Sequence, residues 1–178
     1  MRSKHTNEKR LAGIAIACLF VTILCSFLFF RAPVIVQDPA TFAKEFGLEL
    51  RDYAGEPVHL YSYRRQVLVV YAWASWCSYC STELTNLAKL KQTYGDAVQI
   101  IAVNRAEPLA IAKAFSDKVT DGSGIIFLLD SNDAFFKQVG GYAMPETVFI
   151  SPAGDIVYHQ RGPIPMTDVD ERIKALIH

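Results

Sequence analysis

The chain has 178 residues, a size for one compact domain with a short appendage rather than two full domains. Its formal net charge is zero and no stretch is strongly basic or acidic, so nothing electrostatic points to nucleic acid, which needs a clustered basic face. Apolar residues make up 51% of the chain, and much of the excess sits in Leu11–Phe30.

Residues 1–10 carry Arg2, Lys4, Lys9 and Arg10. Residues 11–30 contain no charged side chain, and as a helix they would be about 30 Å long, the thickness of a bilayer's hydrocarbon core. The positive charges before this run, against Arg31 alone close behind it, predict a cytoplasmic N-terminus with the remainder outside. The reading is a retained transmembrane helix that contacts the lipid bilayer through residues 11–30. A cleaved signal peptide is the rival, but Phe29-Phe30-Arg31-Ala32-Pro33 makes a poor cleavage site. Processing as a lipoprotein at Cys18 and a buried core helix are weaker rivals. Cys18 and Cys25 are most simply small apolar residues of this run.

Residues 31–41, with Pro33 and Pro39, read as a linker, and residues 42–178 as one domain. Within it, Val58–Leu60 fits a short strand. Val67–Trp73 is continuously apolar and fits a central strand buried on both faces. From Cys77 to Tyr94 the period changes: Leu84, Leu87, Leu90 and Tyr94 recur at helical steps, and Gly95 ends the run. Val98–Val103 is the next strand, Pro108–Phe115 a helix, Ile125–Leu129 a strand, and Ala134–Val139 a short helix closed by Gly140-Gly141. Thr147–Ser151 and Ile156–Tyr158 form a hairpin around Pro152-Ala153-Gly154-Asp155, and Asp168–Ile177 is a final helix. Strands alternating with helices, then a hairpin, predict an α/β fold with a mixed sheet and helices on both faces.

Cys77 and Cys80 are the only cysteines of the domain, so no disulfide scaffold holds it. A pair spaced by two residues at a strand-to-helix junction can close a redox disulfide, Cys77–Cys80. Cys77, at the expected first helical turn, sits where free N–H groups and the helix dipole favour a thiolate. Cys80, one turn further in, is expected to be more buried. The division of labour follows: Cys77 attacks or is attacked, and Cys80 resolves the mixed disulfide. The competing readings are a structural disulfide and half a zinc site. The second lacks ligands, because no second such pair exists and His59 and His159 are isolated. No metal and no cofactor are expected.

Val67–Trp73 followed by Ala74-Ser75-Trp76-Cys77-Ser78-Tyr79-Cys80 resembles the active-site strand and turn of thioredoxin-like proteins. Gly55-Glu56-Pro57-Val58-His59-Leu60, Tyr63-Arg64 and Glu83 resemble the bacterial membrane-anchored TlpA, ResA and CcmG (DsbE) group. Tyr142-Ala143-Met144-Pro145-Glu146-Thr147 is similar to that group's cis-proline segment, and its Pro-Glu-Thr form is nearest the CcmG type. The resemblance runs from about Gly55 to Arg161 and implies a thioredoxin fold. It implies that Pro145 is cis and faces the cysteines, that the backbone of Met144 binds substrate peptide, and that Trp76 covers the site and helps form a docking surface. It also implies a bacterial inner-membrane protein with its catalytic domain facing the periplasm or cell exterior, exchanging disulfides with protein substrates. Apocytochrome c is one such substrate, and a membrane thiol the electron donor.

Two departures bear on mechanism. Thioredoxins carry a buried aspartate where this chain has Tyr71, so Glu83 and Glu146 become the candidates to tune or relay protons at Cys80. Ser78-Tyr79 supplies no cation between the cysteines, which favours a reductant over a strong oxidant. An oxidant or isomerase and a copper-handling chaperone are the alternatives. A peroxiredoxin lacks its motif before Cys77.

Overall fold

The structure, a computed structural model, describes residues 50–177 apart from Arg64, Gly122 and Ser123. The expected N-terminus, membrane helix, linker and start of the domain at residue 42 lie outside the described residues. No helix among the described residues is long and apolar enough to cross a membrane.

Among the described residues, seven strands form one mixed sheet. In chain order they are β1 (Leu50–Asp52), β2 (Pro57–Val58), β3 (Val67–Trp73), β4 (Val98–Arg105), β5 (Ile125–Asp130), β6 (Glu146–Ile150) and β7 (Ile156–Arg161). Their spatial order is β2-β1-β5-β4-β3-β6-β7. β3, β4 and β5 run parallel, while β6 pairs antiparallel with β3, and β7 with β6. The parallel connections are made by helices α1 (Cys80–Tyr94) and α2 (Leu109–Val119). Helix α3 (Ala134–Gln138) follows β5, and α4 (Met166–Ile177) ends the chain.

β3 is the hinge of the architecture, and its sequence says why. Every one of its seven residues is buried, so its alternating side chains feed two cores. Val67, Val69, Tyr71 and Trp73 join Cys77, Cys80, Leu84 and Leu87 of the α1 side, together with Val169 and Ile173 of α4. Leu68, Val70 and Ala72 join Val148, Ile150 and the Phe135 and Phe136 pair of α3 on the other face. The expected mixed sheet with helices on both faces is what forms.

The structure corrects several boundaries. The expected strand Val58–Leu60 is split: β2 stops at Val58, and Leu60–Tyr63 is a short 3-10 helix. α1 begins at Cys80, not Cys77. Pro108 precedes α2, which extends past Phe115 to Val119. The Thr85 hydroxyl lies 2.9 Å from the Ser81 carbonyl and 2.7 Å from that of Val119. It thereby ties α1 to the end of α2. Gly141 is required after α3, since a Cβ there would meet the Phe136 ring at 2.8 Å and the Phe136 carbonyl at 2.9 Å.

Candidate active site

The carboxyl ends of parallel strands carry the loops that do chemistry in open α/β sheets. β3 delivers Ala74–Tyr79 there. The N–H of Cys77 donates to the carbonyl of Ala74 at 3.1 Å, and that of Cys80 to the carbonyl of Cys77 at 3.3 Å. Cys77 therefore lies in the turn leading into α1 and not in its first helical turn. No side chain caps that helix end. The positive end of the helix dipole of α1 follows directly on this turn, and it favours a thiolate there.

Cys77 and Cys80 are joined by a disulfide, with Cα atoms 5.4 Å apart. The two differ in access: Cys77 is 7% exposed and Cys80 fully buried. That difference orders the exchange, because an incoming sulfur meets Cys77 first.

The Met144–Pro145 peptide bond is cis. Met144 packs against both cores, and the Pro145 carbonyl accepts the N–H of Gly162 at 2.8 Å, which pins the loop to the end of β7. Trp76 is 63% exposed and Tyr142 is 82% exposed, with Tyr79 also exposed. Trp76 is thus no core residue.

The two candidate acids separate. Glu83, on α1 one turn after Cys80, is buried in the same layer. Its Oε1 accepts the N–H of Ile164 at 3.1 Å, while Oε2 has no hydrogen bond of full geometry. Burial pushes its carboxyl above the usual range, and the Ile164 N–H and the neighbouring Tyr71 hydroxyl offset this only in part. Tyr71 is pushed upward in turn, first by burial and then by the Glu83 charge and hydrogen bond. The hydroxyl and the carboxyl face each other near enough to interact, without closing a well-formed bond.

Glu146 turns the other way. Its register partner is Ala72, and it shares a side of β6 with Val148 and Ile150, on the face opposite the cysteines. One oxygen accepts the N–H groups of Tyr142 and Ala143 at 2.7 and 2.9 Å, and the other pairs with His159. This corrects the expectation for Glu146: its carboxylate holds the cis-proline loop instead of approaching Cys80. His159, isolated in the sequence, is half-buried in that pair.

One residue was not found from the sequence. Glu107, after β4, accepts the N–H and the hydroxyl of Ser75, at 2.8 and 2.5 Å. Ser75 and Glu107 are 32 residues apart, and no local pattern connects them. Among the described residues, no group of three or more His, Cys, Asp and Glu is placed to hold a metal ion.

Residues 34–176 match the Redoxin family model. No curated protein matches the chain. Several solved structures do. MTB dsbF, seen in mixed oxidized and reduced forms, aligns with a TM-score of 0.65 at 21% identity, over 71% of this chain and 92% of that one. A secreted Mycobacterium tuberculosis disulfide oxidoreductase, homologous to E. coli DsbE, aligns with a TM-score of 0.65 at 18% identity, over 75% of this chain and 98% of that one. The exposed lipoprotein thioredoxin Etrx1 of Streptococcus pneumoniae gives 0.62 at 22%, over 72% and 98%. At such identities the likeness establishes the thioredoxin fold. The family match and the bonded pair at the end of β3 carry the rest: the chain belongs to the redoxin family and is a thiol–disulfide oxidoreductase.

Proposed function

We propose that the protein reduces disulfides of protein substrates on the non-cytoplasmic side of a bacterial inner membrane. The observation that carries this reading is the sealed Cys80 beside Glu83, a buried acid with a raised pKa. The Cys77 thiolate attacks a substrate disulfide, forming a mixed disulfide and releasing one substrate thiolate. Cys80 then loses its proton, attacks the Cys77 sulfur and releases the second thiolate, leaving Cys77–Cys80 oxidised. Two electrons pass to the substrate, and its two thiolates take up the two protons that the cysteines give up. Glu83, in its ionised fraction, is the acceptor for the Cys80 proton. Thioredoxins use a strand aspartate for this; here the acid comes from α1 and the strand supplies Tyr71.

The membrane anchor over residues 11–30, the domain facing the periplasm or cell exterior and a membrane thiol as electron donor belong to the same proposal. They rest on the charge-free run, the flanking cations and the resemblance to the TlpA, ResA and CcmG group. The Pro145-Glu146-Thr147 form supports cytochrome c maturation as the pathway, in which apocytochrome cysteines must be thiols before haem attachment. The reduction potential of the full chain tests direction. A value near that of strong oxidants, about −120 mV, sinks the reductant role. A Cys80→Ala variant is expected to freeze substrate on Cys77, where mass spectrometry of the adduct identifies it.

A further inference from the structure

β3 and β4 are parallel neighbours, with Trp73 opposite Asn104. Their carboxyl ends therefore lie side by side, and the segments leaving them can touch. From β3 comes Ala74-Ser75-Trp76-Cys77, and from β4 comes Ala106-Glu107. Glu107 closes the gap. Its Oε2 accepts the Ser75 N–H at 2.8 Å and its Oε1 the Ser75 hydroxyl at 2.5 Å. Oε2 also accepts Nδ2 of Asn104 at 2.7 Å. Asn104 is fully buried, so it gives the carboxylate a fixed backing.

The backbone is bent to place this group. Ala106 has φ 53°, in the left-handed region that a non-glycine residue enters only under constraint. Its N–H is held by the Asp130 carbonyl at 3.1 Å, so β5 supports the bend. A strained residue, a buried amide and a carboxylate with three donors converge on the residue two positions before Cys77.

We propose that Glu107 is a positioning residue for the redox pair: through Ser75 it preorganises the turn carrying Cys77 so that ring closure with Cys80 is favoured. The physical argument is effective concentration. A dithiol closes its disulfide intramolecularly, and the less freedom the turn has, the higher the concentration one sulfur presents to the other. A well-held turn stabilises the disulfide and strengthens the dithiol as a reductant. This inference rests on Cys77 and Cys80 exchanging disulfides, and not on the direction of exchange in the cell.

The test is the redox equilibrium of the full-length chain with glutathione, for wild type, Glu107→Ala, Ser75→Ala and the double variant, with thermal melting as the check of folding. Loss of Glu107 is expected to shift the equilibrium toward the dithiol about tenfold, which is about 30 mV for a two-electron couple. Ser75→Ala, which removes one of the three hydrogen bonds, is expected to give about threefold, and the double variant no more than Glu107→Ala alone, because the residues act through one contact. Folded variants within about twofold of wild type, or shifts that add fully in the double variant, overturn the proposal. If Glu107→Ala does not fold, Ser75→Ala decides by itself. A wild-type chain that fails to equilibrate with glutathione at all would instead overturn the oxidoreductase reading.

Discussion

Two buried glutamates lie on opposite faces of the same sheet, and they are finished differently. Glu146 is fully buried, and both of its oxygens are engaged, by two backbone N–H groups and by His159. Glu83 is buried beside Cys80 with one oxygen bonded and the other without a full hydrogen bond. A buried acid with both oxygens answered is architecture, because its partners make it a fixed anchor. A buried acid left half-answered costs stability and stays responsive to protons, which suits a group that must gain and lose one.

The comparison breaks first at Glu146. Glu146→Ala would orphan two loop N–H groups and release the His159 partner, so a loss of about 3 kcal/mol in unfolding free energy is expected. The Cys77–Cys80 potential, read on the folded variant, is expected to move little by comparison. Denaturant melts and glutathione titration of the same preparation check both halves. A variant of normal stability with a large shift in potential would reverse the assignment.

Glu83→Gln is the complementary change. It keeps the volume and the oxygen facing the Ile164 N–H, and removes the proton acceptor. Turnover of a disulfide substrate is expected to fall about thirtyfold near neutral pH, within the range of general base catalysis. The variant is expected to be at least as stable as wild type near neutral pH, because it no longer buries an ionising group. A folded variant that turns over at the wild-type rate would remove Glu83 from the mechanism.

The same acid gives a signed pH dependence. Burial raises the Glu83 pKa in the folded chain, so between the usual carboxylate range and that raised value the folded state binds more protons than the unfolded one. Its contribution to stability is therefore present at low pH and is lost as pH rises through the folded value. Melting temperatures across this window are expected to show that slope in wild type, and a flatter profile in Glu83→Gln. Equal slopes would place the proton elsewhere.

Much of this site can be read from the sequence, and the unread parts have physical causes. Val67–Trp73 is legible because a strand buried on both faces leaves a continuous apolar run. β1 is missed because Leu50-Arg51-Asp52 has one buried residue and no period to detect. The helix start is misplaced by three residues because Tyr79 precedes α1 where a capping side chain would have marked it. Cys77, Cys80 and Pro145 are legible through spacing and resemblance. The side of the sheet that Glu146 faces is set by its pairing with Ala72, which the strand of origin alone does not reveal. Glu107 is illegible because its contact with Ser75 depends on two strands lying in register.

The smallest expected effect separates the two glutamates most finely. Tyr71 stands in the same layer as Cys80 and Glu83, and its register partner is Thr147, whose buried hydroxyl also lacks a partner. The Tyr71 hydroxyl favours the charged form of Glu83, against burial that opposes it. Tyr71→Phe removes that support and keeps the ring in the core. The Glu83 pKa is then expected to rise further, and the pH midpoint of turnover to move upward with it. Because the lost hydroxyl makes no full hydrogen bond, stability is expected to change by less than about 1 kcal/mol. The Glu146 carboxylate faces the opposite side of the sheet, so the cis-proline loop serves as the internal control: its amide exchange at Tyr142 and Ala143 is expected to stay at the wild-type rate. An unmoved pH midpoint in a folded Tyr71→Phe variant would show that the tyrosine fills the place of the missing strand acid by volume alone.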